Sequence, residues 1–207
     1  MKNSMVLFSK LRFINLAGVF KFMFSDRDII KAIAEKKIKI IPFSKKFLQP
    51  DTYKLHLDSL IAIPLGGRVD PYHTEFSEKY KKKRINEFVL GPGEFILART
   101  IEKISISTEI AASVSGRSTL ARMGVSVTQT APVIHSGHGV PKPRKIILEI
   151  SNAGPFEVVL RKGMLIGEIA FYKLNTPASK PYDSFGRYGL RKNLDELLPL
   201  KERRIKL

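Results

Sequence analysis

Cysteine is absent from the 207 residues. That removes disulfides, thiolate metal sites and a cysteine nucleophile together. A reducing, cytoplasmic location is the simplest expectation. Acids are scarce: 19 Asp and Glu face 36 Lys and Arg, for a formal net charge of +17. Long apolar runs are missing as well. The opening MKNSMVLFSKLRFINLAGVFKF is apolar and basic, like a signal or membrane-surface segment. Lys10, Arg12 and Lys21 interrupt it well short of the roughly 18 apolar residues of a spanning helix, so no membrane partner is expected. No internal repeat is visible, and no glycine-rich phosphate loop follows a strand pattern. Rossmann and P-loop readings are therefore unsupported.

What is present is enough apolar residue, 43%, to build one core of ordinary size with an added arm. The positive charge attracts polyanions. It is spread over Lys36-Lys37, Lys45-Lys46, Lys79 to Arg84, Lys142 to Lys145 and Lys201 to Lys206. These runs lack the interleaved aromatics of a base-stacking platform, which makes nucleic acid the weaker partner reading. We expect three parts. Residues 1–22 form an extension that precedes Met23, where translation is expected to start. Residues 23–191 form the domain, and 192–207 a basic tail.

Ser25-x-x-Asp28 is a capping-box pattern and predicts a helix over Asp26 to Lys36, with Ile29, Ile30, Ile33 and Ala34 on one face. Residues 66–84 show little periodicity and are expected to be a surface excursion. Beyond them, β-rich runs alternate with turn signals: EFILARTI, IAASVS, GVSVTQT, KIILEIS, FEVVL and MLIGEIAF. Many short strands at this spacing predict a mainly β sandwich or barrel with one N-terminal helix.

Four segments carry possible chemistry. In SGRSTLARMG, Ser118 or Thr119 can cap a short helix starting near Leu120. Free N–H groups there, with Arg117 as a bidentate donor, suit a polyphosphate; the same pattern also fits a plain capped helix with surface arginines. In KIILEISNAG, Glu149 shares a strand face with Ile147 and Ser151, opposite Ile146, Leu148 and Ile150. If that face is buried, desolvation raises its pKa and makes it a proton shuttle; otherwise it is an outward glutamate. His135 and His138, three apart with no carboxylate or cysteine nearby, are a poor metal set. The segment KPYDSFGRYGLRKN mixes Tyr182, Tyr188, Arg187 and Arg191 with glycines, as a lid or a mobile basic tail would.

Taken in order, these segments resemble the deoxycytidine triphosphate (dCTP) deaminase family of the trimeric dUTPase-like superfamily. The resemblance rests on Gly116-Arg117-Ser118-Thr119-Leu120-Ala121-Arg122-x-Gly124, on Thr130-Ala131 with Ile134 and Gly137, and on Leu148-Glu149 with Asn152 and Gly154. It continues through Leu160-x-x-Gly163-Met164-x-Ile166-Gly167 with Phe171, and Pro181-Tyr182. Upstream, Ser25-Asp26-Arg27-Asp28-Ile29 and Leu48-Gln49-Pro50 match as well.

The resemblance implies a distorted β-barrel or jelly-roll subunit of the dUTPase-like type, and a homotrimer with sites between subunits. The implied reaction is hydrolytic deamination of dCTP to dUTP. Zinc is not implied, unlike the deaminases with an H-x-E and P-C-x-x-C signature; Mg²⁺ would enter on the triphosphate. Glu149 would be the general acid/base, and Ser118 and Arg122 would hold water, base and Glu149 in register. Arg117, Ser118 and Thr119, with Leu120 and Ala121 beside them, would meet phosphates. The segment Thr130, Ala131, Ile134 and His135, with Ile147 and Leu148, would surround the pyrimidine and sugar. Tyr182, Arg187 and Arg191 would form the lid.

Four departures stand out. His135 replaces the family's usual Asp, which weakens a dUTP pyrophosphatase or bifunctional reading. The Gly139–Lys145 loop is longer than usual, Lys54 and His56 replace an Asp and an Arg, and the lid lacks a glutamine near Arg191. A relative that binds nucleotide or nucleic acid without chemistry is the remaining alternative.

Overall fold

In the computed structural model, which describes residues 23–186, 188 and 197–202, the capping box forms as the sequence predicts. The Ser25 hydroxyl accepts the Asp28 N–H at 3.3 Å, and the Asp28 carboxylate accepts the Ser25 N–H at 3.0 Å. The helix they start, α1, spans Asp26–Ala34. Its buried face differs from the one expected: Ile29 and Ala32 are buried, Ile33 packs against the core, and Ala34 is exposed. The expected extension, residues 1–22, lies outside the described residues.

The rest is antiparallel sheet. β1 (Ile38–Ile41), β2 (Thr52–His56), β3 (Leu60–Pro64), β4 (Tyr80–Arg84), β5 (Glu87–Leu90) and β6 (Phe95–Ile106) come first. β7 (Ile110–Gly116), a short helix α2 (Ser118–Arg122), β8 (Val125–Ser126) and β9 (Val133–Ile134) follow. β10 (Arg144–Asn152), β11 (Val158–Arg161), β12 (Leu165–Lys173) and α3 (Tyr182–Phe185) complete the order. One sheet runs β4-β3-β6-β10-β8, with β1 also on β6; a second runs β2-β12-β7-β9; β11 and β5 form a two-stranded ribbon. Among the described residues, the hydrogen-bonded sheets remain separate and do not close into one barrel. Their inner faces share a core that includes Tyr53, Leu55, Ile104, Leu148, Ile150, Ile169 and Phe171.

The excursion expected over residues 66–84 is only partly one. Lys81, Lys82, Lys83 and Arg84 belong to β4, which pairs with β3 at the sheet edge. A strand exposed on both faces shows no alternation, so periodicity could not reveal it. Its lysines suit an edge, where charge discourages pairing with another chain. No helix among the described residues is long and apolar enough to cross a membrane.

Candidate active site

β10 alternates strictly between buried and half-buried residues from Arg144 to Asn152. Arg144, Ile146, Leu148 and Ile150 face inward, while Lys145, Ile147, Glu149 and Ser151 take the other face. That is the alternation expected for KIILEIS. Across the sheet, Glu149 pairs in register with Leu97 of β6. Its backbone N–H donates to Val127 O at 3.1 Å. Burial pushes the Glu149 carboxyl above the usual carboxylate range, opposed by the Gln129 N–H, which donates to it at 3.4 Å. Gln129 also donates through its side chain to Ser151 Oγ at 2.6 Å, which ties the 127–131 segment to β10.

Glu149 lies in a cavity of about 350 Å³, a size suited to a small ligand. Ala131, Ile134, His135, Ile147 and Tyr182 join it there. Glu149 is the only carboxylate among the described residues of its lining. Lys145 also lines it, and behind Lys145, outside the lining, the Asp58 carboxylate accepts Arg99 Nε and Lys145 Nζ, each at 2.6 Å. Burial alone would raise the Asp58 carboxyl; Lys145, Arg99 and the Ser59 N–H outweigh it and hold it at about 2. Lys145, Ile147 and Glu149 therefore line up on one face, cation at one end and carboxyl at the other.

The opposite wall is built by long-range contacts. The Tyr182 ring stacks on His135 at 5.1 Å and 23°. Tyr182 N–H donates to Ser136 O. Gly137, at φ +77°, lies so close to Pro181 and Tyr182 that a Cβ would come within 2.7 Å of Tyr182 N. Asp183 bonds Arg144 and Gly139, while His138 is buried beside Arg144. Burial, then the Arg144 charge, lowers the His138 pKa to about 3. From the C-terminal segment, Leu197 and Pro199 close a further side, and Leu197 and Leu198 pack with Ala62 and Leu97.

The other expected site residues lie elsewhere. α2 begins at Ser118, with Arg117 as its N-cap and no side-chain cap bond, so neither Ser118 nor Thr119 caps it as expected. Ser118, Thr119, Ala121 and Arg122 are exposed and do not line the cavity of their own chain. Leu120 and Leu148 point into the core, so neither side chain is presented to a ligand. Thr130 is exposed just before the cavity-lining Ala131. Arg187 and Arg191 lie outside the described residues. Lys54 and His56 fall on β2, where His56 Nδ1 sits 2.5 Å from the buried Glu102 carboxylate. Among the described residues, no three His, Asp or Glu side chains converge on a point that could hold a metal ion.

Sequence reasoning missed Gln129, Asp58, Arg99, Arg144 and Asp183. Each has a long-range partner, from 20 to 87 residues away along the chain, and no local pattern encodes such pairs.

The fold and cavity define a mainly antiparallel β protein with one half-buried acid in a pocket of small-ligand size. A family model described as dCTP deaminase-like matches residues 23–174. A "dCTP deaminase, dUMP-forming" of Dictyoglomus thermophilum is 39% identical over 166 residues, covering 76% of this chain and 84% of that protein. A protein of the same description from Bifidobacterium adolescentis is 34% identical over 167 residues, covering 78% and 84%. The solved 2′-deoxycytidine 5′-triphosphate deaminase from Agrobacterium tumefaciens shares the fold. It aligns at TM-score 0.58 and 20% identity over 74% of this chain and 48% of that one. The chain belongs to the dCTP deaminase-like family.

Proposed function

We propose that the protein hydrolyses dCTP at C4 of the cytosine, releasing ammonia. The observation that carries this reading is Glu149: a half-buried carboxyl with a raised pKa, on a rigid central strand, facing a cavity of nucleotide-fragment size. A general acid/base works best with its pKa displaced towards the working pH. In the proposed reaction Glu149 takes a proton from the attacking water as the C4–O bond forms. It delivers that proton to N3, a second proton passes from the C4 hydroxyl to the amine, and ammonia leaves as the carbonyl forms. Such a group supplies about 10²–10⁴-fold in rate. Backbone groups at Thr130, Ala131 and Ile134 read the pyrimidine edge, and Tyr182 covers the nucleotide.

Ser118 and Arg122 enter this scheme from outside the chain's own cavity. In a homotrimer with shared sites, the exposed α2 of one subunit supplies them to the Glu149 of the next, with Arg117 and Thr119 on the phosphates. Mg²⁺ arrives on the triphosphate as part of the substrate.

The product is the finer question. Deamination alone gives dUTP. The descriptions of the D. thermophilum and B. adolescentis relatives favour a second reading, in which the triphosphate is also cleaved and dUMP forms. In this chain the position of the family's usual Asp is held by His135, stacked under Tyr182, and Glu149 is the one carboxylate among the described cavity residues. Both features support dUTP as the product. Incubation with dCTP and Mg²⁺, assayed for ammonia and pyrophosphate, decides. Ammonia alone supports dUTP, and ammonia with pyrophosphate supports dUMP. Nucleotide binding with neither product refutes both in favour of a non-catalytic relative. Glu149→Gln should abolish ammonia release while dCTP still binds.

A further inference from the structure

Arg144 opens the strand that carries Glu149, on the opposite strand face, and it also lines the same cavity. There it meets α3, which follows β12 by a loop of eight residues. Arg144 Nη2 donates to Asp183 Oδ1 at 2.6 Å, with only 6% and 7% of the two side chains exposed. Asp183 Oδ2 accepts the Gly139 N–H at 3.0 Å, so both carboxylate oxygens are engaged. The guanidinium also lies over the Tyr182 ring, 5.6 Å from its centroid, and Nη1 donates to Tyr188 O at 3.0 Å. His138 Nδ1 sits 3.2 Å from Nη2. A neutral imidazole accepts there, as a donor facing a permanent cation could not. The Asp183, Tyr182 and His138 contacts tie α3 and the 135–139 loop to the start of β10, and the Gly139 N–H ties α3 to that loop.

We infer that Arg144 and Asp183 are positioning residues for the nucleotide: their buried pair clamps α3 so that Tyr182 lies on His135 and forms a preset wall of the Glu149 cavity. Asp183 does not line the cavity, and the Arg144 guanidinium, which does, is engaged by Asp183, Tyr188 O and the Tyr182 ring. Arg144 sits on the strand that sets Glu149, and Asp183 directly follows Tyr182, so the pair fixes the wall relative to the acid. α3 is too short to hold itself: a single turn is unstable in isolation, and its own residues are not buried in the core. Its place therefore depends on the Arg144 fork, the Gly139 N–H and the stacking of Tyr182. Identifying the ligand as dCTP rests on the deaminase reading; the clamp itself rests on the geometry.

A clamp of this kind acts on the fraction of molecules with the wall in place. Apparent affinity falls in proportion to that fraction, while substrate at saturation restores the wall and the chemical step. Asp183→Asn removes the charge and one of the two acceptors at nearly constant volume. We expect the KM for dCTP to rise at least tenfold with kcat within about threefold of wild type. Histidine NMR supplies an independent readout, because the chain has only His56, His73, His135 and His138. The His135 ring protons, shielded by Tyr182, should move downfield towards the exposed His73 in the variant. Arg144→Lys, which keeps charge but loses the planar fork, should shift both readouts the same way. Should Arg144→Lys fail to fold, Asp183→Asn decides alone.

An unchanged KM and an unmoved His135 signal in Asp183→Asn, beside wild-type ammonia release, would overturn the clamp and leave the deaminase reading standing. If the wild type itself releases no ammonia, the deaminase reading fails, and the clamp is judged by the dCTP dissociation constant. A tenfold loss in Asp183→Asn then supports it; equal binding, or no binding by wild type, overturns it.

Discussion

Asp58→Asn is the sharpest test of the electrostatics around the cavity. Asp58 Oδ2 accepts both Arg99 and Lys145 at 2.6 Å, and Oδ1 accepts the Ser59 N–H. Asn keeps the shape and one acceptor but not the charge. The folded-state pKa of about 2 against an ordinary 3.8 corresponds to about 2.4 kcal/mol. Removing one member of a buried pair costs about 3–5 kcal/mol. Arg99 and Lys145 have other interactions, so the lower figure is the better guide. We expect a loss of about 2–3 kcal/mol at pH 7, read as a fall of about 1–2 M in the urea midpoint at unchanged slope. Chain concentration must be held fixed, since association adds to apparent stability.

The pH dependence gives the sign. The folded pKa is depressed, so the contribution is complete above the unfolded value of 3.8 and is lost as pH falls through about 2. At pH 3 about 1.3 kcal/mol of it should remain. A wild-type-minus-variant difference that stays constant from pH 7 to pH 3 would refute the charge argument. A difference below about 0.5 kcal/mol at pH 7 would show that the pair is screened like a surface bridge.

Because burial raises the Glu149 pKa, the acid limb of kcat/KM should lie above the ordinary carboxylate range; a limb at or below 4.5 would remove Glu149 from its role. Arg122→Ala should stop turnover while leaving thermal stability nearly unchanged, since Arg122 is exposed. If sites are shared between subunits, mixing it with Glu149→Gln and refolding together should restore about a quarter of wild-type activity; no recovery would place Arg122 and Glu149 in one chain's site or in none. His138 has its pKa lowered from 6.5 to about 3, so between those values the unfolded chain binds a proton that the folded one refuses. Stability should fall as pH drops through that window, and His138→Gln should flatten the dependence in a urea series; an equally steep His138→Gln curve would assign the acid sensitivity elsewhere.

The capping box of α1 and the two-faced pattern around Glu149 were legible because each is local. A cap joins residues three apart, and a strand alternates with period two whatever it packs against. The helix face was misread by a residue or two, because which side of a short helix is buried depends on the sheet beneath it. β4 was hidden because an edge strand exposed on both faces writes no alternation. The α2 motif was recognisable as a segment, but its first turn is capped by no side chain, and Leu120 belongs to the core.

The sequence by itself determined that the chain has no thiol chemistry, that it builds short β-strands after one capped helix, and that Glu149 shares a face with Ile147. The tertiary structure alone decided what that face looks onto. Asp58 reaches Lys145 across 87 positions and Arg144 reaches Asp183 across 39. Pairs so far apart are joined only when the sheets pack, and burial, which shifts the pKa values of Glu149 and His138, exists only once that packing has excluded water.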